Sequence, residues 1–459
     1  VASTLPPSSA SRNRPRERRR VPPWPRGPKP RRRTELGLLL FVSFITLALY
    51  VIAEFGEKSR IPPHLGPFLL VIVAVSLAGH VANRWFVPDA NPVVLPIAAL
   101  LNGIGYVVIV AWTPAEAKAQ AAWVVIGVLL YVVTLGLVRH SRDLDRYRYL
   151  LLLAAGALLV APLVPGLGRT TLGARVFVHL GSHDFQPAEI AKLLLCIFFA
   201  SYFAEKKELL AIPSARLGDR LVIDPRPLVP IILVWIMAMG VIGLEDDLGF
   251  AMLIFAVFIV LLWIATGRWG YLIASIVLFA AGAFFAAHFF SQVHGRINTW
   301  LHPALNSQLG ESTLSLAHGG VGGAGLGLDR FTGDIFGITT DVVFTAVGEG
   351  LGLIGASAVI MAFLLFVGTG LRIAQTARSD FSKLLATGLT VIIGFQAFIV
   401  MAGVVRILPF TAGIALPFVA YGGSSLIANY ILVGILMRIS QEGSSGSGQP
   451  GEVDFLVAT

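Results

Sequence analysis

The chain has 459 residues, 56% of them hydrophobic and only 13% charged. A soluble domain carries about 25% charged residues, so a soluble globular fold is excluded. The formal net charge of +9 is local, because residues 1–33 hold ten Arg and one Lys against one Glu. The rest of the chain is close to neutral, so charge gives no reason to expect a nucleic-acid partner.

Residues 1–35 form a basic, Pro- and Ser-rich segment that lacks the apolar content for a core, and it reads as a disordered tail against an anionic cytoplasmic membrane surface. The apolar run that follows has no small-residue cleavage signal, which favours a retained first span over a signal peptide. About twelve apolar runs then follow, each long enough to cross roughly 30 Å of hydrocarbon as a helix. They lie near 36–55, 66–86, 92–112, 121–138, 149–165, 187–204, 227–244, 248–266, 269–290, 343–370, 384–404 and 424–440. Their residues do not alternate as membrane β-strands would. The fold class expected is therefore an all-α polytopic membrane protein.

Basic residues alternate between connections as the positive-inside rule requires. Arg84, the Arg139–Arg148 group, Lys206, Lys207, Arg268, Arg372, Arg378 and Lys383 fall on one side with the tail. This places both termini in the cytoplasm. On the other side are the segment 166–186, a long loop at 291–342 and an apolar stretch at 405–423. The long loop, which precedes the tenth span, is rich in Gly, Leu and Phe. It reads as folded and partly membrane-embedded, since long structureless loops are uncommon. Residues 441–459 read as a flexible Gly/Ser-rich tail. The single cysteine, Cys196, permits neither an internal disulfide nor a thiolate metal site.

Ionisable residues in or beside apolar spans mark candidate sites. In "FQPAEIAK", Glu189 and Lys192 are three apart and share a helix face. They suit either an orienting ion pair or a site. In "GLEDDLGF", Glu245, Asp246 and Asp247 stand where a helix dipole favours anions. They suit capping, an acidic cavity wall or a weak divalent-cation site. Arg169, Arg175, Arg296, Arg330 and Arg406 fall on the outer side, and Arg suits phosphate and pyrophosphate. "HGGVGGAGLG" (318–327) follows no strand and lacks the Lys-Ser/Thr ending of a phosphate loop; it reads as close helix packing or a re-entrant turn. Asp341 stands at the end of the long loop among apolar neighbours, which favour a raised pKa and a general base. It also suits helix capping, and the residues alone leave both readings open. Thr345, Gly348 and Glu349 follow on the same helix face.

The segments "FQPAEIAK" (185–192), "DDLG" (246–249), "TTDVVFTAVGEGLGLIG" (339–355) and "ILPFTAGIALPFVAYGGSSLIANYILVGILMRIS" (407–440) resemble the signature regions of the SEDS family, the RodA/FtsW/SpoVE group. The resemblance implies a ten-span core over 87–440, with residues 36–86 as an additional N-terminal pair. The basic tail and extra pair are similar to actinobacterial versions. It implies a peptidoglycan glycosyltransferase in the bacterial cytoplasmic membrane that polymerises lipid II on the outer face, for elongation or division. The partner implied is a class B penicillin-binding protein. By motif, Asp341 is the catalytic carboxylate, and Arg175, Glu189, Lys192, Asp247, Arg296 and Glu349 belong to the substrate site. Arg406 is added as a candidate for the pyrophosphate, and a divalent cation (Mg or Mn) as an expected aid. Two other readings of the same features are a lipid II flippase and a non-catalytic scaffold for a penicillin-binding protein.

Overall fold

The computed structural model describes residues 32–58, 65–171, 174–180, 183–211, 215–217, 220–222, 247–326, 328, 335–409 and 413–445, with six further positions between 229 and 240. Residues 1–31, most of the expected span 227–244, Glu245, Asp246, Arg330 and residues 446–459 lie outside them.

Fourteen α-helices are described. They are α1 (Arg32–Lys58), α2 (Leu65–Phe86), α3 (Val94–Trp112), α4 (Ala117–Leu137), α5 (Ser141–Arg146), α6 (Arg148–Val160) and α7 (Ala188–Ala211), followed by α8 (Leu248–Thr266), α9 (Trp269–Phe289), α10 (Ser291–Leu301), α11 (Gln308–Gly319), α12 (Val343–Thr376), α13 (Asp380–Val404) and α14 (Gly423–Ser445). Among the described residues, eight helices are long and apolar enough to cross a membrane, and apolar helices at 70–86 and 148–163 are shorter. Eleven of the expected spans coincide with helices, and the twelfth falls on the segment outside the description. The last helix runs to Ser445, five residues past the expected end at 440.

Two small antiparallel sheets accompany the helices. β1 (Gly168–Thr171), β2 (Ala174–Leu180) and β3 (His183–Phe185) pair in the order β1-β2-β3, with Val178 opposite Gly168 on one side and Phe185 on the other. The expected loop 166–186 thus holds a meander, consistent with the Val and Phe of β2. β4 (Ala215–Leu217) pairs with β5 (Arg220–Val222).

Two rings of polar contacts mark the ends of the bundle. At one end, Ser141 donates to Glu442 (2.5 Å), the Asp89 amide donates to Gln441 (2.6 Å), and Lys207 pairs with Asp380. At the other, the Tyr421 amide donates to Thr339 O (2.8 Å), the Gln186 amide donates to Ser424 Oγ (2.9 Å), and Thr339 donates to Glu116 (3.1 Å). Between the rings lies one continuous apolar core. Large apolar side chains such as Phe44, Leu77, Phe284 and Leu364 point outward, as they do on a lipid-facing surface. Small residues let backbones approach closely: a Cβ on Gly105 would stand 2.3 Å from Val419 O.

One buried polar cluster joins α1, α2 and α4. Glu35 Oε1 lies 3.0 Å from His80 Nδ1 and accepts from Asn83 Nδ2 at 3.0 Å, while Tyr131 donates to Asn83. Glu35, His80 and Asn83 are all buried. Pattern reading passed over these residues because Glu35 lies just before the first run and His80 and Asn83 lie within the second, and only folding brings them together.

Candidate active site

The site lies where the ends of α7, α8, α10 and α12 converge, and its centre is Asp341. A turn at 336–342 precedes α12, with the Val342 amide donating to Gly337 O (3.1 Å). Gly337 adopts φ 72°, which lets the chain reverse there. Thr339 pins the turn twice: its hydroxyl donates to Glu116, which also accepts from Thr113 (2.9 Å), and its carbonyl accepts from Tyr421. The backbone that carries Asp341 is therefore held from the α3–α4 connection on one side and from the chain just before α14 on the other.

The Asp341 carboxylate itself is half-buried, and among the described residues no donor bonds to it. Burial pushes its pKa up, and the Arg296 guanidinium opposes that shift. Asp247 lies within electrostatic reach of the same groups. Its Oδ1 caps α8 by accepting from the Phe250 amide (2.9 Å), whereas its buried Oδ2 has no hydrogen-bond partner. Burial pushes Asp247 up to about 6, helped by the negative charges of Glu189 and Asp341 and opposed by the Phe250 amide and Arg296. Asp247 is thus both a helix cap and a member of the site.

The Glu189–Lys192 pair extends this cluster inward. Both side chains are buried, and Lys192 Nζ donates to Glu189 (2.5 Å) and to Gln396 Oε1 (2.8 Å). Gln396 in turn donates to Ala415 O (2.7 Å), fastening α13 to the stretch before α14. Glu189 sits in the first turn of α7, directly after Pro187, which is suited to a helix start.

Arg406 and Arg175 are placed differently. Arg406, in a left-handed turn (φ 61°) after α13, donates to Trp300 O (3.1 Å), and Trp300 Nε1 donates back to Arg406 O (3.1 Å). This reciprocal pair ties α10 to α13, and Arg406 Nε keeps no partner. Arg175 is exposed on β2 and forms no ion pair among the described residues.

Glu349 is buried one helix section deeper than Asp341. It accepts from Ser315 of α11, and its Oε1 lies 3.4 Å from His318 Nδ1. Beside it α12 breaks. Gly352 has φ 65° and ψ −167°, a conformation open to glycine alone. The glycine stretch after α11 fills the break. Ala324 N donates to Glu349 O (2.8 Å) and Gly325 N to Gly350 O (3.2 Å), while Leu353 N donates to Gly320 O (3.0 Å) and Ile354 N to Val321 O (3.2 Å). Those four helix groups are the ones that an unbroken α-helix would pair with each other, 353 to 349 and 354 to 350. The exchange leaves none of them bare, as an apolar environment demands. Of the two expectations for this stretch, close packing is what the hydrogen bonds and backbone approaches display. What the sequence could not show is that its partner is a gap in α12.

Among the described residues, no group of three or more His, Cys, Asp or Glu could hold a metal ion.

With this geometry in place, known proteins supply the context. Residues 105–445 match the FtsW/RodA/SpoVE family model, described as cell cycle protein. The chain belongs to this family. Among its FtsW/RodA/SpoVE relatives is "Peptidoglycan glycosyltransferase RodA" of Mycobacterium tuberculosis, 35% identical over 436 residues that cover 92% of each chain. Another is "Probable peptidoglycan glycosyltransferase FtsW" of Geobacter metallireducens, 30% identical over 70% of this chain and 84% of that one. In fold, the chain is similar to a chain of the structure "Structural coordination of polymerization and crosslinking by a peptidoglycan synthase complex", with TM-score 0.62 and 24% identity, covering 77% of this chain and 98% of that one. It is also similar in fold to the rod shape determining protein RodA of Thermus thermophilus, with TM-score 0.54 and 22% identity, covering 77% and 97%.

Proposed function

We propose that the chain is a peptidoglycan glycosyltransferase that polymerises lipid II at the outer face of the bacterial cytoplasmic membrane, with Asp341 as general base. The supporting observation is a carboxylate held on a turn pinned from both sides, with no donor of its own among the described residues and with a cation in range. The distribution of Lys and Arg supports an outer position for the Asp341 end and a cytoplasmic one for both termini. The names of relatives that share 92% of the chain support the same reading.

The chemistry asks for two things, a base for the incoming hydroxyl and positive charge for the departing pyrophosphate. Asp341 takes the proton from the GlcNAc 4-hydroxyl of the acceptor. That oxygen bonds to the MurNAc anomeric carbon of the donor as the bond to the pyrophosphate oxygen breaks, and the leaving group departs with the electron pair as undecaprenyl pyrophosphate. A single displacement inverts the anomeric carbon. Arg296, whose charge acts on Asp341, would receive the phosphates, with Arg406, tied to α10 through Trp300, as a second cation. Asp247 and Asp341 give Arg296 an acidic surround, and Lys192 holds Glu189, which acts on Asp247, in position. A class B penicillin-binding protein would cross-link the glycan strand. The fold neighbour that comes from a peptidoglycan synthase complex fits such a pairing.

Purified protein incubated with labelled lipid II should yield glycan strands, and Asp341→Asn should retain lipid II binding while losing polymer. Polymer from Asp341→Asn at the unmodified rate refutes the assignment of the base. Transfer of lipid II across a bilayer without polymer would instead favour transport.

A further inference from the structure

A cavity of about 270 Å³ lies between α1, α2, α3, α4 and α14, away from the Asp341 cluster. For scale, an engineered apolar cavity of about 150 Å³ accepts benzene. Its wall is mainly apolar, with Val42, Val71, Ile72, Val75, Ala121 and Val124 among the lining residues. Of the hydroxyls in that wall, Ser43 donates to Leu39 O (2.8 Å), Thr46 donates to Val42 O (3.0 Å) and Tyr430 accepts from Asn102, while Tyr50, Ser76 and Tyr106 also line it. Two features break the apolar character. Lys118, in the first turn of α4, is exposed at one end of the lining. Among the described residues no acid pairs with it, and nearby Glu116 is taken up by Thr113 and Thr339. The second feature is Asn102. It donates to Tyr430 (3.1 Å), but its buried Oδ1 has no partner, an unfavourable state unless an occupant supplies a donor.

We infer that this cavity is a lipid-binding site. It takes one long apolar chain between the α1–α2 pair and α3, α4 and α14, and it holds the chain's anionic phosphate headgroup at Lys118. The placement fits such a ligand. Glu116 and Thr339 put the Lys118 end of α4 at the same end of the bundle as Asp341, which is a headgroup level. From Lys118 to Val124 the α4 lining descends about 9 Å into the apolar zone. An alkyl chain needs no hydrogen bonds along that path, and a single water or hydroxyl beside the chain completes Asn102. The cationic rim selects for negative headgroups, as Lys near a membrane surface does. The site would cement α1 and α2 to the other helices, whichever reaction Asp341 performs.

Two anionic lipids carry the required chemistry, a phospholipid and a polyprenyl phosphate. The test uses the full chain, delipidated in detergent and examined by native mass spectrometry. The probes are phosphatidylglycerol, undecaprenyl phosphate, and phosphatidylcholine with matched acyl chains. One tightly retained anionic lipid per chain is expected, with phosphatidylcholine held several-fold more weakly. Competition between the first two identifies the source, and either winner supports the site. Ala121→Phe should fill the cavity and reduce occupancy at least tenfold. Lys118→Gln, an exposed change that leaves packing intact, should erase about fivefold of the anionic preference. Unchanged anionic binding in a monodisperse Ala121→Phe protein overturns the proposal, as does equal binding of phosphatidylcholine or an unchanged preference in Lys118→Gln.

Discussion

The exchange of hydrogen bonds at the break in α12 makes Gly352→Ala an informative perturbation. The backbone at φ 65°, ψ −167° costs a residue with a Cβ about 1–3 kcal/mol in strain alone. The Cβ would also stand 2.2 Å from Gly323 N and 2.5 Å from Val321 O, both of them backbone atoms, so the glycine stretch must move away. Moving it weakens four exchanged hydrogen bonds, each worth about 1 kcal/mol net. A local destabilisation of about 3–5 kcal/mol follows if half of that bonding is lost. At 1.4 kcal/mol per decade, amide exchange at Ala324, Gly325, Leu353 and Ile354 should accelerate on the order of a hundredfold or more. Hydrogen–deuterium exchange read by mass spectrometry on detergent-purified protein measures this. Polymerisation should fall with it, because Glu349 lies beside the break and is fixed by Ser315 and His318. Gly368→Ala is the control, since its added Cβ meets nothing within 4 Å. That change should be neutral or stabilise by about 0.5–1 kcal/mol. Wild-type protection at all four amides in Gly352→Ala would show that the break is not what holds the loop.

Three further changes test the acidic cluster. Asp247→Asn keeps a good helix cap and removes a carboxylate whose pKa rises from 3.8 to about 6 on folding. The wild-type protein therefore loses stability as pH climbs from about 4 to 6, by at most about 3 kcal/mol. The variant should unfold at a higher temperature than wild type at pH 7.5 and show no such gain at pH 4, in paired thermal melts. Arg296→Gln removes the cation that lowers the Asp341 pKa. Because the base works deprotonated, the acid limb of the polymerisation pH profile should move to higher pH, and an unmoved limb would separate Arg296 from the base. Lys192→Met leaves Glu189 buried without its donor, which should cost about 3–5 kcal/mol in stability. The double change Lys192→Met with Glu189→Leu should recover much of the melting temperature without recovering polymerisation.

The membrane spans were legible because hydrocarbon thickness imposes run length directly on sequence. Eleven expected spans coincide with described helices for that reason. The Glu189–Lys192 pair was legible too, since a three-residue spacing on one helix fixes its own partner. The three-stranded sheet at 168–185 was read only as a loop. Its strands are four, seven and three residues long, too short for periodicity to separate them from irregular chain. Glu35, His80 and Asn83 were missed because Glu35 meets its partners 45 and 48 residues away, on the next helix.

The same distinction governs the site. Asp341 stood out by its position beside a long loop, but the sequence held two readings of it, cap and base. The structure shows that α12 begins at Val343 without a side-chain cap, so the capping reading has no hydrogen bond behind it. For Asp247 the outcome is the reverse, because one oxygen does cap α8 while the other is left bare. A single residue type thus takes two roles that only geometry tells apart. Arg406 makes the same point from the cationic side. Its residue type suits pyrophosphate, yet its guanidinium and carbonyl are committed to Trp300, 106 residues away. That anchoring ties Arg406 to α10, and Arg296, whose charge acts on Asp341, is the cation best placed to act with the base.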